Sequence, residues 1–338
     1  MLLFFLLSGF VICYAHGDRG ADAGGFRTYL VKRGRRIYPI FLLSLLLAYV
    51  VQCVAGRDLA PVHPWSLLGN MFMLQNHPDK PGAFVRPYAD NMPLWSLSYE
   101  WWFYMMFYPI NRCVPVRRQK FVVLGLCVAA MVANQFAPCT VFNILIFFVI
   151  WWTGVEFARE FLDTGNVTLK RQGIMLALLA VPAAWYGLLV VEAVGAGRKI
   201  LFIKFPFVDF RYFLMSGVFI ALVFVWKQWR FQGYRQTFGR FERLGSISFA
   251  LYLVHYPILC DLRLLPGNAP GVFYTDLILR LLLAFGLAWL LERPLQKWIN
   301  NTTNQWLVST SPHSGLETDG MRNNPAAATG FKVTGRGK

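Results

Sequence analysis

Apolar stretches recur along most of the 338-residue chain and are separated by short polar or basic segments. A bilayer core is about 30 Å thick, so a helix needs about 20 residues to cross it. The stretch 65–76 (WSLLGNMFMLQN) is too short to cross and predicts a half-helix or an interfacial piece. Nine other stretches approach the required length. The pattern predicts an all-α, polytopic membrane helix bundle with spans at 1–16, 37–54, 93–110, 121–137, 140–158, 173–195, 207–226, 244–261 and 273–291.

The chain is rich in hydrophobic residues (56%) and poor in charged ones (15%). Soluble domains carry charge on about a quarter of their residues, so a soluble protein with nine buried core helices is the less favoured interpretation. After Ile299 the composition changes to Asn, Thr, Ser, Gly and Pro. We therefore predict a transmembrane domain at 1–299 and a disordered cytoplasmic tail at 300–338.

The formal net charge of +16 would by itself be compatible with nucleic-acid binding. Lys and Arg also accumulate in cytoplasmic loops of membrane proteins. If the segment 17–36 lies inside and the spans alternate, the inner segments hold 24 Lys and Arg and the outer segments hold 7. The outer loop 196–206 opposes this trend with three basic residues. The distribution predicts a cytoplasmic carboxyl end, a lipid bilayer as partner and no nucleic acid.

The chain begins directly with an apolar segment, MLLFFLLSGFVI. It lacks the basic n-region and the small-residue cleavage site of a signal peptide. Nine spans with a cytoplasmic carboxyl end would also leave the amino end outside. We interpret the segment as the second half of a helical hairpin whose first helix is not in this sequence.

Six cysteines are scattered along the chain without a CxxC or other metal-ligand spacing. We therefore predict no metal site and no bound cofactor. Most of the cysteines are interpreted as small packing residues. Three of them lie near predicted outer ends of spans, and the sequence does not decide whether any two form a disulfide.

The stretch Leu94–Tyr104 (LWSLSYEWWFY) carries a glutamate in an otherwise apolar segment. An ionised group at mid-bilayer costs about 2.5–3.5 kcal/mol on insertion scales, so such a residue faces the bundle interior and needs partners. Ser96, Glu100 and Tyr104 are spaced four apart and share one helical face. Two interpretations remain open: a hydrogen bond that locks two helices together, or a functional polar stripe.

A second polar stripe lies in GSISFALYLVHYPIL (245–259), where Ser248, Tyr252 and His255 share a face. His255 is the one histidine inside a predicted span, and it is interpreted either as a packing hydrogen bonder or as a catalyst. Glu100 and His255 both lie about 10 Å below the predicted outer surface at a rise of about 1.5 Å per residue. We therefore predict that the two can meet, so that the carboxylate orients the imidazole and raises its basicity.

Four basic residues in YLVKRGRRIYP (29–39) stand at the predicted inner mouth of a span. Arg33 and Arg36 share a helical face. They either anchor the chain to anionic lipid head groups or clamp a phosphate, because guanidinium groups pair bidentately with phosphate. Glu292, in LAWLLERPLQKW (287–298), closes the last span and is interpreted as a helix terminus or as a further substrate-binding residue.

Two further sets of charged residues are interpreted as structural. Asp276 and Arg280 are four residues apart and are expected to pair within one helix. Asp209 and Arg211 lie near the start of their span.

Five stretches of the chain occur in the order known from one family of membrane enzymes. The stretches are FFLLSGFVI (4–12), RGRRIYP (33–39), LWSLSYEWWFY (94–104), GSISFALYLVHYPIL (245–259) and LLERPLQKW (290–298). Together they resemble the acyltransferase 3 family of integral-membrane acyltransferases over residues 1–299. Members of that family have ten spans with both ends cytoplasmic, which nine predicted spans plus one preceding helix would match.

The resemblance implies transfer of an acyl group, usually acetyl from acetyl-CoA, to a hydroxyl of an envelope or exported glycan. Lipopolysaccharide O-antigen, exopolysaccharide and peptidoglycan are common acceptors in the family. Acyl-CoA would be a co-substrate, the acceptor a glycan or a lipid-linked sugar, and the location the bacterial inner membrane. Such a reaction needs a base and donors that hold the oxyanion. The candidate catalytic residues are Glu100 and His255, and the candidate substrate-binding residues are Arg33, Arg36, Ser96, Tyr104, Ser248, Tyr252 and Glu292.

The chain departs from the family pattern at its beginning. The family's candidate base is a histidine in the first transmembrane helix, preceded by a basic residue, and this sequence begins after that helix. His16 lies at the inner end of its stretch, on a different helix. We expect either a truncated chain or a short, inactive form, with His255 as a hypothetical substitute base.

Two classes other than an enzyme remain as alternatives. A multi-span transporter or channel would also place ionisable residues inside its spans. The sequence lacks the paired broken helices in corresponding halves that many transporters have. A lipid-binding scaffold would account for the basic loops.

Overall fold

The computed structural model describes residues 1–16, 25–56, 63–199, 201, 204–267 and 269–309. Within these residues the chain is 80% helical and has no β-strand, which confirms the predicted all-α class. The first eight described α-helices are α1 Leu2–His16, α2 Gly25–Gly56, α3 Pro64–Met71, α4 Leu94–Cys113, α5 Val116–Phe136, α6 Thr140–Thr164, α7 Leu169–Gly195 and α8 Phe207–Gln228. The remaining helices are α9 Glu242–Gly245, α10 Ser248–Tyr256, α11 Pro270–Leu290 and α12 Gln296–Ser309.

Six of the nine predicted spans correspond to helices that are long and apolar enough to cross a membrane. The other three, 1–16, 93–110 and 244–261, do not. Helix α1 has 15 residues, and α10 ends after 9 residues. Helix α4 has 20 residues, but its serines, Glu100 and Arg112 lower its hydropathy. The six spanning helices are Gly25–Gly56, Val116–Phe136, Thr140–Thr164, Leu169–Gly195, Phe207–Gln228 and the continuous stretch Pro270–Thr303.

Helix α6 forms the centre of the bundle. In its apolar window 72% of the residues are buried, compared with 22–39% in the other spanning helices. Two glycines allow α1 to pack closely against it: a Cβ at Gly9 would lie 2.1 Å from the carbonyl oxygen of Trp151, and a Cβ at Gly154 would lie 2.0 Å from that of Leu6. Small residues at such crossings are typical of packed membrane helices. The close approach holds α1 against the centre of the bundle.

The connection between α3 and α4, residues 72–93, is anchored in the bundle by buried residues, although other side chains in it remain exposed. The Asn76 N–H donates to the Val85 carbonyl at 2.9 Å, and Tyr99 of α4 donates from its hydroxyl to the Asn76 side chain at 2.9 Å. Lys80 of this connection forms an ion pair of 2.5 Å with Asp209 at the start of α8, and both side chains are buried. Residues 72–93 are therefore fixed to two helices of the bundle. The sequence places Asp209 correctly as structural but does not identify Lys80 as its partner.

Two π-helical turns interrupt the last part of the bundle, at Pro257–Asp261 and at Leu291–Leu295. Each contains a proline, which has no N–H to continue the α-helical ladder. Single wide turns of this kind are frequent at functional sites. The second of them carries Glu292, so the wide turn sets the direction of that carboxylate.

The end of the described chain continues as helix. Helix α12 (Gln296–Ser309) runs across the predicted domain boundary at residue 299. Gln296 donates from its side-chain amide to the Arg35 carbonyl of α2 at 3.0 Å, which ties the start of α12 to the bundle. Residues 310–338 of the predicted tail lie outside the described residues.

Candidate functional site

A cavity of about 380 Å³ lies where α1, α2, α4 and the beginning of α10 meet. Five of the nine predicted site residues line it, so the two polar stripes and the basic stretch do face a common space. We call it the arginine cavity. Its polar lining residues are Ser8, Arg33, Arg36, Glu100, Tyr104 and Ser248.

The carboxylate of Glu100 is held by hydroxyl groups from two helices. Ser8 of α1 donates to Glu100 Oε1 at 2.8 Å, and the Tyr104 hydroxyl donates to the same oxygen. The indole N–H of Trp151 donates to Ser8 Oγ at 3.2 Å, so a third helix, α6, holds this serine in position. The predicted i, i+4 relation of Glu100 and Tyr104 is therefore observed. Ser8 was not predicted as a site residue, although its polar side chain within FFLLSGFVI was a usable signal.

Arg36 makes a two-pronged ion pair with Glu292. Its two terminal nitrogens donate to Oε2 and Oε1 of the carboxylate at 2.5 and 3.1 Å. The arginine side chain remains 45% exposed, whereas Glu292 is 1% exposed. The Ala250 N–H of α10 also donates to Glu292 Oε1 at 3.3 Å. Glu292 is thus the buried anchor that holds a half-open guanidinium at the cavity.

Arg33 lies one helical turn before Arg36 and contacts aromatic rings. Its guanidinium carbon is 5.4 Å from the ring centre of Tyr29 and 5.6 Å from that of Tyr104. Tyr29 in turn donates from its hydroxyl to the Tyr104 carbonyl at 3.1 Å. Two guanidinium groups on one face of α2 therefore border the same space, an arrangement that binds phosphate well.

The two polar stripes meet directly at Ser96 and Tyr252, whose hydroxyl oxygens are 2.6 Å apart. The Tyr252 hydroxyl also donates to the Pro93 carbonyl at 3.0 Å. Neither residue lines the arginine cavity. The third member of the second stripe, Ser248, does line it and donates from its hydroxyl to the Gly245 carbonyl at 2.8 Å.

The predicted meeting of Glu100 with His255 is not observed, and no hydrogen bond or ion pair joins them in the described structure. His255 Nδ1 lies 2.8 Å from the Tyr252 carbonyl and 3.2 Å from the Leu251 carbonyl of its own helix. Helices α4 and α10 cross at the contact between Ser96 and Tyr252. On one side of this crossing, Glu100 and Ser248 line the same cavity.

His255 lies at the opposite end of this crossing. Nearby, Asn91 Nδ2 donates to the Leu253 carbonyl at 2.9 Å. The sequence-based depths assumed that the outer ends of both stretches lie at one level. The contact of Ser96 with Tyr252 instead places the start of α4 beside the interior of the helical run that continues from α10 to Asp261. The catalytic roles predicted for the two residues remain predictions.

The predicted helix-internal pair of Asp276 and Arg280 is present, with a distance of 2.8 Å between Arg280 Nε and Asp276 Oδ2. Asp276 also accepts the backbone N–H groups of Leu264 and Leu265 at 2.8 and 2.9 Å. It therefore fixes the connection before α11, in line with the structural role expected of it. Among the described residues no three His, Cys, Asp or Glu side chains are grouped as ligands for a metal ion.

The comparison with known families agrees with the motifs that border the arginine cavity. Residues 1–293 match the acyltransferase domain that defines acyltransferase 3. The chain belongs to the acyltransferase 3 family. It is accordingly an acyltransferase and, with its six spanning helices, an integral membrane protein.

Two relatives of this acyltransferase 3 protein carry acyltransferase names. It is 28% identical to the acyltransferase MdmB of Streptomyces mycarofaciens over 279 residues, which cover 76% of this chain and 67% of the relative. It is 23% identical over 129 residues to the provisionally named acetyltransferase ORF330 of Acidianus two-tailed virus, covering 37% of this chain and 36% of that protein. No solved structure matches the chain.

Proposed function

We propose that the protein moves an acyl group, acetyl in the simplest case, from acyl-CoA to a hydroxyl of an envelope or exported glycan. The observation that supports this most is the arginine cavity. There, Arg33 and Arg36 face the same space as the buried carboxylate of Glu100. The protein would act in a bacterial inner membrane with its carboxyl end in the cytoplasm.

The two arginines are suited to the donor because CoA carries phosphate groups. Guanidinium groups form short, paired hydrogen bonds to phosphate oxygens. Arg36 is half exposed although it is anchored by Glu292, so its outer edge stays accessible to a ligand. The rings beside Arg33 hold its guanidinium in place and reduce the entropy lost when a phosphate binds.

The chemistry is an attack of the acceptor hydroxyl oxygen on the thioester carbon. A carbon–oxygen bond forms, the carbon–sulfur bond breaks, and CoA leaves as a thiol. The hydroxyl proton must pass to a base and finally to the sulfur. Among the described lining residues Glu100 is the one carboxylate that can accept this proton, and Ser8 and Tyr104 hold it in position.

The proposal is tested with isotopically labelled acetyl-CoA in membranes that contain the protein. We expect label in the glycan fraction. Arg33→Ala and Arg36→Ala should each reduce the label in the glycan at least about tenfold, because each variant removes a charged hydrogen-bonding partner of the donor. Arg240→Ala removes an exposed arginine away from the cavity and serves as the control. Unchanged transfer in both cavity variants would contradict the donor site.

The same experiment separates the enzyme from a transporter. Solute flux through membranes without label on any glycan would support the transporter. A reporter fused to the carboxyl end tests the orientation. Activity of a reporter that functions only outside the cytoplasm would contradict the proposed topology.

A further inference from the structure

A second and larger cavity, of about 940 Å³, lies at the opposite end of α2 from the arginines. Its walls are Tyr49 and Gln52 of α2, the helix α3 with its flanks, and residues 84–90 of the connection before α4. We call it the aromatic cleft. The charge distribution along the chain predicts this end of α2 to lie outside the cytoplasm.

Large aromatic side chains line the cleft and remain accessible. Trp65 is 84% exposed, and Phe72 and Phe84 are also largely exposed. Exposed apolar surface of this extent around a concavity is typical of a binding site. Flat aromatic faces match the C–H faces of sugar rings, which are apolar although the ring edges are polar.

Polar groups in the same cleft supply hydrogen bonds but no excess charge. Arg86 and Asp90 carry opposite charges, and Gln52, His63 and Ser66 add neutral donors and acceptors. The arginine cavity, in contrast, has two guanidinium groups. A phosphate-bearing ligand therefore fits the arginine cavity, and a neutral ligand rich in hydroxyls fits the aromatic cleft.

The wall of the cleft is held in a strained backbone conformation. Ala89 and Asp90 are consecutive non-glycine residues with φ of +51° and +52°. Such residues are uncommon, and they persist where the surroundings enforce them. Here Asn91 donates from its side chain to the Leu253 carbonyl at 2.9 Å and Asn70 donates to the Arg86 carbonyl at 2.8 Å. These two hydrogen bonds hold the strained backbone on both sides of it, so Asp90 keeps a fixed position at the edge of the cleft.

We infer that the aromatic cleft is the acceptor subsite and that it binds neutral sugar units of the glycan. The inference rests on the proposed function, since it assigns the second substrate of that reaction. Ile37 at the arginine cavity and Tyr49 at the cleft are about 18 Å apart along α2, from a rise of about 1.5 Å per residue. The donor site and the proposed acceptor subsite are therefore separate cavities with no lining residue in common.

Binding is tested with the purified protein and two matched sets of oligosaccharides by saturation-transfer NMR. The neutral set consists of glucose and N-acetylglucosamine tetramers, and the acidic set consists of galacturonate tetramers. We expect binding of a neutral probe and weaker binding of the acidic one. Trp65→Ala should weaken neutral binding about tenfold, the loss of one aromatic stacking contact. Asp90→Asn should weaken it to a smaller extent.

Trp229→Ala is the matched control, because Trp229 is also exposed but lies away from the cleft. CoA binding is measured on every variant to show that the protein is folded. Equal binding of the neutral probes by wild type and Trp65→Ala would overturn the inference. So would the absence of neutral binding, or an equal preference for the acidic set.

The proposed function fails in a different way. If the wild-type protein binds neutral sugars but does not bind CoA, the proposed donor site is overturned. The assignment of the aromatic cleft as a sugar-binding site is then retained. Lipid contacts are the competing explanation for exposed aromatic rings near a membrane surface. In that case short-chain phosphatidylcholine, and no oligosaccharide, would give the saturation-transfer signal, and the inference would be overturned.

Discussion

Two of the ion pairs in the described part of the chain join residues that are far apart in the sequence, and they differ in what surrounds them. Arg36 and Glu292 border the arginine cavity, and the arginine side chain is 45% exposed. Lys80 and Asp209 are 2% and 0% exposed, and Lys80 Nζ lies 4.1 Å from the ring centre of Phe147. The nearest nitrogen and oxygen are 2.5 Å apart in both pairs. We call Arg36–Glu292 the open pair and Lys80–Asp209 the sealed pair.

The difference teaches which of the two pairs can act on a ligand. A sealed pair has no free edge for a substrate, and its attraction mainly offsets the cost of burying two charges. It connects residues 72–93 to α8 and so holds one wall of the aromatic cleft. The open pair leaves the outer edge of the guanidinium available. We therefore expect substitutions at the sealed pair to affect folding and substitutions at the open pair to affect donor binding.

The largest effect is expected from Lys80→Met, which leaves the Asp209 carboxylate buried without its partner. Removing one partner of a buried pair costs about 3–5 kcal/mol of unfolding free energy. The double variant Lys80→Met/Asp209→Leu should recover much of the loss, because no charge is then buried. Thermal unfolding in detergent measures both, with Lys170→Met as an exposed control. Equal stability of the wild type and Lys80→Met would contradict the structural role.

A smaller effect on folding, but a clear one on donor binding, is expected from Arg36→Lys. The charge is kept, but the two-pronged contact with Glu292 and the flat edge for a phosphate are lost. The KM for acyl-CoA should rise about tenfold. Acyl transfer at varied acyl-CoA concentration gives this value. An unchanged KM together with a large loss of thermal stability would make the open pair structural as well.

Tyr104→Phe should have a moderate effect, because it removes one of two hydroxyls that donate to Glu100 Oε1. A hydrogen bond to a charged group contributes about 1.5–3 kcal/mol, and Ser8 still donates to the carboxylate in the variant. We expect kcat to fall by up to about tenfold while the KM for acyl-CoA stays the same. Tyr108→Phe serves as the matched control on the same helix. A change in KM alone would assign Tyr104 to donor binding and not to the carboxylate.

The smallest effect is expected from His255→Ala. The imidazole Nδ1 faces carbonyl groups of its own helix, and the residue does not line the arginine cavity. Activity should therefore stay close to that of the wild type. A general base contributes about 100-fold or more, so a loss of that size would restore a catalytic role for His255. The rate of acyl transfer at saturating donor is the measurement.

The relations between residues that the sequence predicts and the structure also shows are local ones. Ser96, Glu100 and Tyr104 share a face because helical periodicity depends only on spacing. Arg33 and Arg36 reach one cavity for the same reason. Which residues share a face of one helix does not depend on how the helices pack together. The sequence alone is therefore enough to predict it.

The parts that were missed depend on how the chain folds back on itself. Lys80 looks like an ordinary loop lysine until residues 72–93 fold into the bundle and bring it to Asp209. The level of His255 relative to Glu100 was misjudged because α4 begins beside the interior of the helical run Ser248–Asp261 and not beside its end. Ser8 gains its role only from the contact of α1 with α4. None of these relations has a signal in local periodicity.

The close contact between α1 and α6 also affects the position of Ser8 relative to the Glu100 carboxylate. A methyl group at Gly9 would lie 2.1 Å from a backbone oxygen of the opposite helix, so the two helices cannot keep their separation with an alanine there. Ser8 is the neighbouring residue and reaches Glu100 at 2.8 Å. The absence of a side chain at Gly9 therefore determines how closely the neighbouring Ser8 hydroxyl approaches the Glu100 carboxylate.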